Sequence, residues 1–226
     1  MKAKIFMPVI MILLTVTVYP QKTIRNYMHL SSEMARFNES VIDMPEYTGS
    51  PYLDKEFSDG SFVTVDNILY KNIPLRYNIY NEIFEFEKDN APFDLDPKRY
   101  GRRVTCNDMV FIYTDYTYNK NPKKGYLEIL EKGNYSLFKR YKVRYDRPEP
   151  AGAYSDTKPG NFAKLQDEYF FQAGEEGEIR FIPKEGEFLD YCGEHAVDVK
   201  AYMKKNKLKI RKEDQLIKIM NYLNTL

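Results

Sequence analysis

Tryptophan is absent from this sequence, and histidine and cysteine occur only twice each, as His29, His195, Cys106 and Cys192. Catalytic zinc draws on several His or Cys ligands, so so few leave little to build a metal centre from. There is no G-x-S-x-G, which removes the strand–nucleophile–helix turn of an α/β-hydrolase. No glycine-rich phosphate loop follows a strand pattern, so no cofactor is implied. An excess of one charge is also missing: 34 Lys and Arg face 33 Asp and Glu, for a formal net charge of +1. A nucleic-acid binder usually carries a basic face, so nucleic acid is not an expected partner.

Long apolar runs are lacking but for one. Lys2 and Lys4 precede an apolar stretch from Ile5 to Val18, polar residues begin at Gln21, and no acid occurs before Glu33. A membrane-spanning helix needs about 20 apolar residues. A basic start, a short apolar run and a polar break are the layout of a secretory signal. Residues 1–21 are therefore expected to be a signal peptide, and the location periplasmic or secreted. Thr15, Thr17, Val18 and Pro20 make a poor small-residue cleavage site, so retention as an anchor is the alternative. Removing residues 1–21 takes two lysines and no acid, which lowers the net charge from +1 to −1. In an oxidising compartment a Cys106–Cys192 disulfide is chemically permitted. Two independent thiols are the other reading, because sequence does not show how close the pair comes.

What is abundant is Tyr and Phe, 20 and 14 residues, which favour strands. Residues 22–50 are polar and mixed, with a weak helical stripe over 23–37. From Phe57 onward, short apolar runs recur between turn residues. Pro74 to Tyr80 alternates Leu75, Tyr77 and Ile79 against Arg76 and Asn78. Phe84 and Phe86 alternate with Glu85 and Glu87, and Asp66-Asn67, Asn72, Asn81 and Asp89-Asn90 punctuate the runs. Period-two alternation between such turns signals antiparallel hairpins. Residues 97–108 read as an irregular connection, and 119–125, with Pro122, as a loop. The clearest hairpin turns near Lys132-Gly133; Leu137, Tyr141 and Val143 are expected inside and Arg140, Lys142 and Arg144 outside. Residues 147–160 are an excursion rich in Pro and Gly, and a last hairpin turns at residues 174–177. Helical spacing then appears, with one stripe of Val199, Tyr202 and Met203 and another of Leu216, Ile217, Met220 and Leu223. The expected fold is mainly β with α: a curved antiparallel β-meander or partly open barrel over 51–183, and two C-terminal helices in 184–226 packed on the sheet.

Three stretches carry a family resemblance: Gly49-Ser50-Pro51-Tyr52-Leu53 leading to Glu56-Phe57, Pro74 through Tyr80, and Lys205-Asn206-Lys207-Leu208 through Tyr222-Leu223-Asn224. With them the chain resembles a group of small exported proteins of unknown function from Gram-negative bacteria. The resemblance implies an envelope location and no chemistry.

Candidate sites are sparse. Cys106, Cys192 and His195 could in principle meet at a metal, and Cys192 with His195 could form a nucleophile pair, though such pairs are normally distant in sequence. Glu85, Glu87, Asp115 and Glu128 lie on or beside strands, where a glycosidase-type carboxylate pair is one reading and a solvated sheet face the other. Tyr113, Tyr116 and Tyr118 with Asp115 suggest a sugar or peptide platform, or simply a good strand. Lys200, Lys204, Lys205, Lys207, Lys209, Arg211 and Lys212 follow one another with no acid between. They suit contact with an anionic membrane surface or lipopolysaccharide phosphates, or a solvated helix end. The expected function is a non-enzymatic binding or structural module of the cell envelope with an unassigned partner or ligand. A carrier of an apolar ligand, lipid or acyl chain, and a hydrolase with a carboxylate site are the alternatives.

Overall fold

A computed structural model describes residues 24–26, 46–150 and 157–226. The expected signal peptide at 1–21 lies outside the described residues, as does most of the segment 22–50. What is described of that segment is extended rather than helical. Ile24–Asn26 forms strand β1, and Tyr47–Gly49 forms β2. Both gain parallel partners, which supply the backbone hydrogen bonds that a weakly striped helix would otherwise have to supply.

Eight strands follow as two meanders. The first is β3 (Ser58–Val63), β4 (Leu69–Asn78), β5 (Ile83–Lys88) and β6 (Ala91–Leu95). The second is β7 (Arg103–Cys106), β8 (Met109–Tyr118), β9 (Asn121–Glu131) and β10 (Tyr135–Arg140). Three of their turns are two-residue turns: Asp89-Asn90, Asn107-Asp108 and Asn119-Lys120. All six residues have positive φ, between 48° and 68°. This is the turn geometry whose twist matches that of the flanking strands. Asn and Asp adopt it readily because their short polar side chains bond the nearby backbone. Pairing of β3 with β7 joins the two meanders into one sheet.

Three expectations are corrected in this region. Asn72 does not end a strand. It is the extra residue of a bulge inside β4, with φ 56°, where Lys71 and Ile73 pair with the adjacent Ser61 and Gly60. The connection 97–108 contains β7. Pro122 lies in β9 opposite Thr117, and its missing N–H costs nothing because the Thr117 N–H turns the other way, to the Ile179 carbonyl at 2.8 Å.

After β10 the chain leaves the large sheet. β11 (Val143–Asp146) and β12 (Gly160–Lys164) form a three-stranded sheet with β2. The chain then returns as β13 (Glu168–Ala173) and β14 (Arg180–Phe181). β14 pairs antiparallel with β13 and parallel with β8, so β8, β9, β10, β13 and β14 close into a five-stranded barrel. Tyr116, Leu127, Phe138, Phe170 and Ile179 fill its interior. The outward faces of the same strands are covered too. Phe111 and Tyr126 join the core of the first meander with Phe62, Leu75, Tyr77, Phe84 and Phe86, while Leu137 and Phe171 join a helical core.

This double coverage corrects the expected faces of β10. Arg140 is not solvated: it pairs with Glu82 and, at 3.1 Å, with Glu168, which also takes Lys142 at 2.8 Å and the Tyr118 hydroxyl at 2.7 Å. Leu137 and Tyr141 are buried as expected, and Val143 is half-buried.

Three α-helices, not two, end the chain: α1 (Glu185–Tyr191), α2 (Ala196–Asn206) and α3 (Glu213–Leu223). The last buries Leu216, Ile219, Met220 and Leu223, so Ile219 stands where Ile217 was expected. Asn224 pins its end to β10, accepting from the Tyr135 N–H at 2.8 Å and donating to the Tyr135 carbonyl at 2.9 Å. Stacked rings of Tyr202 and Tyr222, 4.0 Å apart, tie α2 to α3.

Candidate functional site

The basic run forms a defined edge. Lys207 ends α2 in the left-handed conformation, with φ 54°, and the Leu208 N–H closes on the Met203 carbonyl at 2.9 Å. The connection to α3 then alternates. Leu208 is half-buried and Ile210 buried, while Lys207, Lys209 and Arg211 point out. On α2, Val197, Lys200, Ala201 and Lys204 share the outward face at helical spacing. Val197 is 77% exposed. All seven basic residues, Lys200, Lys204, Lys205, Lys207, Lys209, Arg211 and Lys212, are exposed, and none forms an ion pair among the described residues. The acid that follows them, Glu213, turns inward to Lys139 at 2.7 Å and accepts from the Tyr169 hydroxyl at 3.1 Å. The exposed acids of these two helices, Asp198 and Asp214, flank the run and do not interrupt it.

The other candidates are dispersed. Cys106 and Cys192 are both free and lie in different cores, so the permitted disulfide is not formed. The Cys106 thiol sits 3.2 Å from the Ser58 hydroxyl, and Cys192 donates to the Phe188 carbonyl at 3.2 Å. Burial pushes both thiols up, Cys192 to about 12, which is the reverse of an activated nucleophile. His195 packs its ring against Tyr135 on the helical side, away from Cys106. Among the described residues no three His, Cys, Asp or Glu side chains are placed to hold a metal.

The strand carboxylates do not face solvent as a set. Glu85 is buried, bonded by Arg76 and Asn78 at 2.8 Å each, because Tyr52 and Phe57 cover the Arg76 guanidinium. Asp115 is exposed beside Lys124. Glu128 is buried and accepts from the Tyr141 hydroxyl at 2.7 Å; burial raises its carboxyl, and Asp167 is raised for the same reason. The tyrosines of β8 divide between faces. Tyr113 packs on Tyr126 in the first core, whereas Tyr116 and Tyr118 pack on the barrel side with Phe170 and Phe181. Alternation along a strand therefore rules out a single tyrosine platform.

The first two stretches behind the family resemblance pack on each other. The Pro51 carbonyl accepts from the Ile79 N–H at 2.8 Å, and the Leu53 N–H donates to Tyr77 at 3.0 Å. Their role here is structural.

One feature had no sequence signal. A cleft of about 640 Å³ opens where β14 closes the barrel against β8. Lys120 of the β8–β9 turn and Pro122 of β9 form one wall, and Glu187 and Tyr191 of α1 the other. Arg180 lies over the Tyr191 ring at 4.2 Å, and the Tyr191 hydroxyl is fixed by donating to the Phe181 carbonyl at 3.1 Å. These residues are scattered over 72 positions from Lys120 to Tyr191, and no spacing joins them.

Comparison of the chain with protein families, with curated proteins and with solved structures finds no match.

Proposed function

We propose that this chain is an exported, non-enzymatic module of the cell envelope, periplasmic or secreted, held by its α2–α3 edge against an anionic, phosphate-bearing lipid surface. The observation that carries this reading is the set of seven exposed cations, unpaired among the described residues, on one helix and the connection that follows it. Near an anionic leaflet each is worth about 1 kcal/mol, fading over a Debye length of about 8–10 Å. Val197 adds an apolar contact at the N-terminal end of the helical face. The carrier reading has less support, because the barrel interior is occupied by five large side chains. The hydrolase reading has less as well, since Glu85 and Glu128 are each buried against partners of their own.

Co-sedimentation with vesicles tests the proposal. Phosphatidylcholine vesicles containing phosphatidylglycerol should retain the protein, with retention falling steeply as salt rises. Pure phosphatidylcholine should not retain it. The variant K200Q/K204Q/K205Q/K207Q should lose retention and melt like the parent, since all four side chains are exposed. Equal retention on neutral vesicles, or an unaffected variant, would overturn the reading.

A further inference from the structure

The seam cleft holds an arginine and a glutamate that do not satisfy each other. The Arg180 side chain makes no hydrogen bond or ion pair among the described residues, and its Nε is buried without a partner. Its guanidinium lies over the Tyr191 ring and lines the cleft. Glu187 stands one helical turn before Tyr191, on the same face of α1. Its Oε2 is also buried without a partner, and its Oε1 has only the exposed Lys184 ammonium at 3.5 Å. Arg180 and Glu187 thus each keep one buried side-chain atom without a partner in the same cleft, and the Arg140 Nε and Asp167 Oδ1 atoms, which are in the same condition, belong to side chains that are otherwise ion-paired.

The charge balance of the walls narrows the ligand. Lys120 and Arg180 are matched by Glu178 and Glu187, and Glu178 is already engaged by the Thr117 hydroxyl. A simple anion would meet the glutamates, and a simple cation would meet Arg180. A molecule carrying both charges can address Arg180 and Glu187 together. Pro122, Phe181, Pro183 and the Tyr191 ring supply apolar wall beside them. The cleft, about 640 Å³, is within the range of small-molecule sites.

We infer that this cleft binds a small zwitterion of amino-acid type, a free α-amino acid or a short peptide. Its carboxylate takes the fork of Arg180 as a bidentate pair, its ammonium takes Glu187, and its side chain lies against Phe181 and the prolines. The site is separate from the α2–α3 edge, so it stands or falls independently of surface attachment.

Titration calorimetry on the purified protein, without lipid, tests it. The probes are L-phenylalanine and alanyl-phenylalanine, each as the free zwitterion, the N-acetyl derivative and the C-terminal amide. The free forms should bind, and either block should weaken binding by about tenfold or more, the equivalent of one lost charge-assisted contact. In Arg180→Gln the acid and the amide should become equivalent, while the acetyl block still weakens binding. In Glu187→Gln the pattern should reverse. Absence of binding by both free forms at millimolar concentration would overturn the inference, as would blocked forms binding as well as free ones. So would a lowered melting temperature in Arg180→Gln with no change in probe discrimination, which would make Arg180 a packing residue for α1.

Discussion

Ile219→Ala should destabilise the protein by about 2–5 kcal/mol, and Ile217→Ala by less than half as much. The two residues are neighbours but one in the middle of α3, identical in type and lost to the same smaller side chain. Both substitutions gain the same few tenths of a kcal/mol in helix propensity. What separates them is burial. Ile219 is 0% exposed in the helical core, together with Leu216, Met220 and Leu223, whereas Ile217 packs against that core from its margin. Removing Ile219 costs the transfer of its side chain and also leaves a cavity, because Asn224 holds the end of α3 on β10 and limits collapse. With an m-value of about 2–3 kcal/mol/M for a chain of this size, the urea midpoint should fall by roughly 1 M or more. Deletion of residues 212–226 removes all four buried side chains at once and should prevent stable folding. Equal midpoints for the two isoleucine variants, or a larger effect at Ile217, would refute the docking of α3 by its 216–219–220–223 face.

Two further outcomes follow from local chemistry. Burial raises the Glu128 carboxyl, so the folded state favours its neutral form. Such a group contributes stability below its unfolded pKa, about 4, and that contribution is lost as pH rises through the higher folded value. Glu128→Gln keeps an oxygen for the Tyr141 hydroxyl and removes the titration. Its stability at neutral pH should equal or exceed the parent's, with a flatter profile above about pH 4 in pH-dependent melts, and a clear loss at neutral pH would show the charge to be favourable. At the β4 bulge, exposed Asn72 has φ 56°. Asn72→Val should cost about 1–2 kcal/mol through backbone strain alone, and Asn72→Gly should change stability by about 0.5 kcal/mol or less. A valine variant as stable as the glycine variant in urea melts would mean the bulge relaxes.

Features carried by neighbouring residues were legible in the sequence. The dipeptide Asp89-Asn90 is a two-residue turn, the alternation of β4 and β5 pairs Leu75 with Phe86 and Tyr77 with Phe84 on one face, although Asn78 and Glu85 on the other are buried as well, and the contiguous basic run forms one exposed edge. Features made by distant residues were not. On β10 the period-two pattern suggests one apolar and one charged face, yet both faces are covered, and Arg140 is accommodated there because Glu82 and Glu168 come to it from elsewhere in the chain. α1 is seven residues long and buries a single side chain, Phe188, too little for any helical stripe.

The closure of the barrel is the extreme case. β14 is two residues long, and its registered partner on β8 is the single pair Arg180 and Thr117. No alternation can be seen in two residues, so the sequence suggested only a curved or partly open sheet. That one pairing does more than seal the barrel. It draws Glu178, Arg180 and Phe181 beside the β8–β9 turn, and α1 follows immediately to place Glu187 and Tyr191 across from them. The cleft therefore exists because of the shortest strand in the fold. Closing the barrel leaves Arg180 half-buried without a pairing acid, a stability cost that packing alone does not require of a residue at a barrel seam. A leucine there would cover Tyr191 equally well. What the guanidinium adds over a leucine is an N–H fork on the wall of the cleft, the group that the proposed carboxylate would meet.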